Sequence, residues 1–462
     1  MRIANNPEQV ETRMTKFRFV APFIVLMLVL TACPAGSADT SEPAGGGTDT
    51  SDAPEASGGG NGGGEADGSV SVLSLWGGSE RDAFLEVLSA FQDETGITVQ
   101  YETARDFTVV LSTRIPAGNP PDIAIVPRPG FMGDLVNEDA ILPLSELGID
   151  TDTILADYAP AWSDLGTVND ELYGLPVKAN SKSTVWYDPS SFEEQGFEPP
   201  ENWDGLLEIT QQYKDAGETP WAVGAADSWT LTDWFENIYV RTAGQEMYEQ
   251  LFGGDLPFTD PSVGEALNRM VEIINEENVA GGINGALGTT FVDGIGLAFG
   301  SSASAEMYFE GGFVGGIALG DVNPELVPGE TIAFFDFPTF EGGAGDALVG
   351  GGDLAVAFNN DPDIAALMQF LASKEAADIW AATGAIVSPN PQTDQSVYTE
   401  LGQAESEQVL NAEAFVFDGS DLLPGDLAES WGTTLQGIIE SPDQIDSLLE
   451  DFEADAASEF GR

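Results

Sequence analysis

The chain has 462 residues, 42% hydrophobic and 10% aromatic, enough to bury a substantial core and divide it between two lobes. Lys and Arg total 15 against 78 Asp and Glu, so a formal charge of −63 repels phosphate backbones and anionic headgroups and excludes nucleic acid as a partner. With no histidine and one cysteine there is no Ser-His-Asp or Cys-His machinery, no intramolecular disulfide and no thiolate metal cluster; neither a metal nor a cofactor is expected.

Residues 1–32 read as a leader. Arg13, Lys16 and Arg18 precede an apolar run over 19–30 that is short for a membrane span and suits a signal peptide, with Met14 as an alternative start. Small residues then lead to Cys33 in Leu30-Thr31-Ala32-Cys33. Residues 34–69 are rich in Gly, Ser, Thr, Pro and acids and read as a flexible tether.

Alternation over 70–76 predicts a strand, and Phe84, Leu85, Leu88 and Phe91 at helical spacing predict a helix over 80–93. A strand over 97–101, a helix over 107–114, a strand over 123–126 and a helix near 130–136 continue the pattern. Repeated units of this kind imply a mainly parallel sheet covered on both faces, with ligands beyond the strands' carboxyl ends, at 76–81 and 127–130. Further on, 172–187 reads as extended, 201–214 and 260–276 as helices, 332–335 as a strand and 362–373 as a helix.

Three runs of residues, Leu75-Trp76-Gly77-Gly78-Ser79-Glu80, Asn119-Pro120-Pro121-Asp122-Ile123-Ala124 and Tyr173-Gly174-Leu175-Pro176-Val177-Lys178, occur in that order. Phe337-Pro338-Thr339-Phe340, Gly350-Gly351-Gly352-Asp353, Phe370-Leu371-Ala372-Ser373 and Ser388-Pro389-Asn390 follow. The succession resembles family 1 extracellular solute-binding proteins of ABC importers, and Thr232-Asp233-Trp234 with the run 417–424 resembles the alpha-glucoside-binding branch. Cys33 with its small neighbours is similar to the lipobox of bacterial lipoproteins, which implies a lipidated N-terminus on the extracytoplasmic face.

The resemblance implies an α/β, two-lobed periplasmic-binding-protein-like fold, each lobe a mainly parallel sheet flanked by helices, with a cleft between lobes. It assigns 70–178 and 336–385 to lobe one, and 179–335 and 386–462 to lobe two. It also implies a carbohydrate ligand, a permease partner, membrane attachment through the lipid anchor only, and no catalysis. Residues 291–299 resemble the family's strand before a ligand loop, but the following Gly300-Ser301-Ser302-Ala303-Ser304 lacks the aromatics of the maltose-binding pattern, leaving one stacking platform missing or displaced.

A sugar presents an apolar face and a rim of hydroxyls, so its site needs a flat aromatic with acids, amides or cations nearby. Trp76, Glu80 and Arg81 supply all three, and this locus resembles the acidic and basic ligand contacts of the maltose-binding protein. Trp229 and Asp233, four apart, share one face of any helix, whereas Trp234 is expected to pack. Arg128, Lys178, Asp353, Asp418, Asp421 and Trp431 complete the candidate set. A secreted two-carboxylate glycoside hydrolase and a non-catalytic surface adhesin remain as alternatives.

Overall fold

The computed structural model describes residues 68–462 except 156, 157, 159 and 413; the leader, Cys33 and the tether as far as residue 67 lie outside the described residues. The chain forms two main sheets. In the first, β1 (Ser69–Ser74) lies between β2 (Thr98–Thr103) and β3 (Ile123–Val126), parallel to both, so that Val72 faces Tyr101 on one side and Ile123 on the other. Parallel neighbours need a crossover, and α1 (Gly78–Thr95) and α2 (Phe107–Arg114) supply it. α1 buries Phe84, Val87, Leu88 and Phe91 against the sheet and ends at Gly96, whose φ of 78° suits the left-handed residue that stops a helix. α3 (Pro129–Asn137) leaves the end of β3.

A two-residue hairpin, β4 (Thr167–Val168) with β5 (Glu171–Leu172), precedes β6 (Leu175–Ser181), after which the chain passes to the second sheet at Lys182 and Ser183. There β7 (Thr184–Tyr187), β8 (Trp221–Ala222), β9 (Met307–Glu310) and β10 (Ala333–Asp336) stand in the order β10-β7-β9-β8. β11 (Leu348–Ala357) then returns to the first sheet, antiparallel to β3 and β6 and buried along its whole length. β12 (Phe415–Phe417), which the expected division assigns to lobe two, pairs with β11 in the first sheet.

The two-lobed α/β architecture is therefore present, but its sheets are less parallel than the alternation over 70–136 implies. In the second sheet only β8 and β9 are parallel, while β7 runs antiparallel to both neighbours. Its strands come from distant stretches of chain, so strand-helix alternation does not govern their direction. The stretch 291–299, expected as a strand, is the helix Phe291–Phe299. Apolar clusters cover both faces of the first sheet, and the largest core lies in the second lobe around Trp203, Trp221, Trp234 and Trp431. Among the described residues no helix is long and apolar enough to cross a membrane.

Candidate functional site

The crossing between sheets carries two cations, and the polar centre forms around them. Lys178 lies on β6 opposite Asp353 of β11. Its ammonium donates to Glu80 in the first turn of α1 at 2.7 Å and stands 5.1 Å from the centre of the Trp76 ring and 5.8 Å from that of Phe313. Burial pulls the Lys178 pKa down, but Glu80 and Asp353 outweigh it and hold the group charged. Burial pushes the Asp353 carboxyl the other way, up to about 6.

Lys182, just past β6, meets three carboxylates: Asp418, Asp421 at 3.3 Å and Asp233 at 3.4 Å. The glycines before Asp353 make room for it, since a Cβ on Gly351 would stand 2.9 Å from the Lys182 stem and one on Gly352 2.5 Å from the Lys178 carbonyl oxygen. Burial works against the ammonium, yet the three acids raise its pKa well above normal. Burial pushes Asp421 up to about 7 with help from Asp418. Asp418 itself is held below the usual range, because Lys182 and hydrogen bonds outweigh burial.

The helix Trp229–Ala243 positions Asp233 by its four-residue repeat: Trp229, Asp233, Asn237 and Arg241 share one face. Asn237 donates to the Lys182 carbonyl at 2.7 Å and accepts from Ser183 Oγ at 2.6 Å, locking the crossing to this helix. Glu236 accepts the amides of Gly419 and Ser420 at 2.7 and 3.0 Å, which fixes the turn that presents Asp418 and Asp421. Trp229 is 38% exposed, packs on Phe291 and Phe313, and has the Lys182 ammonium 5.9 Å from its ring centre. The aromatic surface thus comes from Trp229, Phe291 and Phe313, and none of it from Tyr308 or Phe309, which are core. Arg128 stands at the N-cap of α3; its Nε and Nη2 are buried without hydrogen-bond partners among the described residues, and its charge opposes the rise of the Asp421 pKa.

The structure brings Glu80, Arg128, Lys178, Trp229, Asp233, Asp353, Asp418 and Asp421 into this centre and removes three candidates from it. Trp76 is only 2% exposed, set edge-on against Phe84 and Trp380, so the ring expected to stack on a ligand is core. Trp431 is fully buried among Phe235, Phe258 and Phe452. Arg81 pairs with its neighbour Asp82 on the surface. Trp234 packs against Trp221 and Phe309, as expected. Sequence reasoning missed Lys182, Phe313 and Glu405, and Glu310, whose carboxyl is pushed well up by burial and by Asp233; Lys182 was marked only by being a scarce cation four residues from Lys178. Glu405 accepts the Ser181 amide at 2.8 Å, and burial pushes its carboxyl up to about 7. Two surface depressions, one beside Lys214 and Glu277 and one beside Ser71 and Pro121, contain none of these residues.

Opposed charges, unpartnered donors and an accessible aromatic face, gathered where the chain passes between lobes, can hold a polar solute. The match to the bacterial extracellular solute-binding protein model extends over residues 77–378 and includes that crossing. The chain belongs to the bacterial extracellular solute-binding protein family. This solute-binding protein is 33% identical over 80% of its length to an osmoprotective compounds-binding protein of Synechocystis sp., covering 88% of that relative. It is 32% identical over 77% of its length to an alpha-glucosides-binding periplasmic protein of Rhizobium meliloti, covering 80% of it. Its fold matches a solved bacterial solute receptor described as exclusive for β-D-galactopyranose, with a TM-score of 0.76 at 18% identity over 86% of this chain and all of that one.

Proposed function

We propose that this solute-binding protein captures a small neutral carbohydrate, an alpha-glucoside or a related polyhydroxylated osmoprotectant, between its lobes and delivers it to an ABC permease without catalysing a reaction. The observation that carries this reading is the half-exposed Trp229 ring beside the Lys182 cluster and the unpartnered Arg128 donors. An aromatic face takes the C–H side of a sugar ring, and flanking acids and donors take its hydroxyls. The charge balance supports a neutral ligand: Glu80, Asp353 and Asp418 offset Lys178, Lys182 and Arg128, and burial pushes Asp233 and Asp421 towards their neutral forms, so the centre holds no excess positive charge for a phosphorylated or acidic sugar. Two relatives, an osmoprotective compounds-binding protein and an alpha-glucosides-binding protein, agree with this class.

The test is native mass spectrometry and calorimetry against trehalose, maltose, sucrose and a sugar phosphate. One-to-one capture of a neutral glycoside is expected; tighter binding of the sugar phosphate refutes the charge argument, and turnover beyond one equivalent refutes the absence of catalysis. Attachment through a lipid on Cys33 is part of the same proposal. Cys33→Ala should release the protein from membranes, and retention of that variant refutes anchoring.

A further inference from the structure

α1 begins without a cap of its own. Its N-cap position is Gly77, which has extended backbone and no side chain to accept the free amides of the first turn. The acceptor comes from the other lobe: Asp321 takes the Ser79 amide at 2.9 Å and the Ser79 hydroxyl at 2.9 Å. Asp321 lies in the segment Ala318–Val322, which packs against Phe299 and Tyr308 in the second lobe, whereas α1 packs on the first sheet. Two glycines allow the approach. A Cβ on Gly78 would stand 2.4 Å from the Asp321 carboxylate, and one on Gly320 2.5 Å from the Ser79 side chain. Gly78 also has a φ of 54°, which other residues adopt at a cost.

The same device recurs near α3 with the lobes exchanged. Asp134, on α3 of the first lobe, accepts the amide of Gly425 in the second at 3.1 Å, and a Cβ on Gly130 would stand 2.5 Å from the Leu423 carbonyl oxygen. Carboxylate on amide, with glycine at the point of contact, therefore occurs at two places where the lobes meet.

We infer that Asp321 is a closure latch: it caps α1 only when the lobes meet, and so sets ligand affinity without touching ligand. Separating the lobes leaves the Ser79 amide and the Asp321 carboxylate to water, so the contact favours the closed state over the open one and leaves the open state unchanged. Loss of a helix cap corresponds to a change of roughly fivefold in an equilibrium constant. Asp321→Ala should lower the closed-to-open ratio by about that factor and speed ligand release to match. Asp321→Asn, which keeps one acceptor, should fall between.

This rests on the reading that the lobes open and close around a solute. The test uses the full chain carrying Cys33→Ser, with spin labels at Val109→Cys and Val327→Cys, exposed positions in the first and second lobes. Electron–electron distance distributions are recorded with and without trehalose, maltose or sucrose, beside Asp443→Ala as a control for loss of one surface charge. A shift towards long distances in Asp321→Ala, absent from Asp443→Ala, supports the latch. An unchanged distribution, or one unchanged while the unfolding midpoint drops, overturns it and leaves Asp321 a structural cap. A single distance in the unsubstituted background that none of the sugars alters refutes hinge closure itself, a separate failure.

Discussion

Replacing Lys182 by Met keeps the apolar stem and removes the one ammonium that Asp233, Asp418 and Asp421 share. At 3.3 to 3.4 Å each of the two longer pairs is worth about 5 kcal/mol of gross attraction at an effective dielectric of 20, but desolvation of the ions and repulsion among the acids consume most of it. A second limit comes from protonation. Once the cation is gone the acid that must relieve the cluster is Asp418, which Lys182 holds ionised, and a proton on an ordinary aspartate at pH 7 costs about 4 kcal/mol. The loss of stability should therefore be about 3 to 5 kcal/mol at pH 7, the range for breaking a buried pair from one side. It should shrink by about 1.4 kcal/mol for each pH unit lowered, because protonation then becomes easier. Urea unfolding at pH 7 and pH 5 measures both quantities. A loss below about 1 kcal/mol at pH 7, or one equal at the two pH values, would refute the account of Lys182 as the main compensation for the charge of Asp233, Asp418 and Asp421.

Trp229→Ala should weaken binding of the cognate sugar by about 1 to 3 kcal/mol with little change in the unfolding midpoint, since the ring is half-exposed; calorimetry with parallel melts decides it. Trp76→Ala should behave in the opposite way, costing about 3 to 5 kcal/mol of stability through a cavity beside Phe84 and Trp380, and a stable variant with lost affinity would return Trp76 to the site. Glu405 and Asp353, raised by burial to about 7 and about 6, keep protons that the unfolded chain has already released. Their contribution is thus complete below the unfolded carboxylate range and lost as pH rises towards 7, so melting temperature should fall between pH 5 and 7, and Glu405→Gln should flatten that fall. Added potassium chloride should raise the melting temperature by screening a formal charge of −63, and a flat or falling trend would show that self-repulsion does not limit stability.

Local pattern made the first lobe readable. α2 and β3 occupy 107–114 and 123–126 as expected, and α1 extends the expected helix by only two residues at each end. The stretch 291–299 misled because its reading as a strand came from the resemblance and not from a period in its own residues. Helix is favoured there by Thr290, which accepts the Asp293 amide as a cap, and by Gly294, whose missing Cβ admits the Tyr308 ring. Trp229 and Asp233 were legible because they share one helical face. Lys182 was not, since its partners lie 51, 236 and 239 residues away and no local spacing records them. Trp76 and Trp431 show the converse limit: an aromatic beside an acid has the same sequence signature in a core as in a binding site.

Lys178, Lys182 and Arg241 are all buried, in a chain that has only 15 cations. Carboxylates consequently dominate the exposed charge, and copies of the protein meeting in dilute buffer repel one another over the full Debye length. Such a surface should keep concentrated solutions free of self-association and hold the protein on anion-exchange resin until high salt. It also requires that any protein surface receiving this chain supply the positive charge itself.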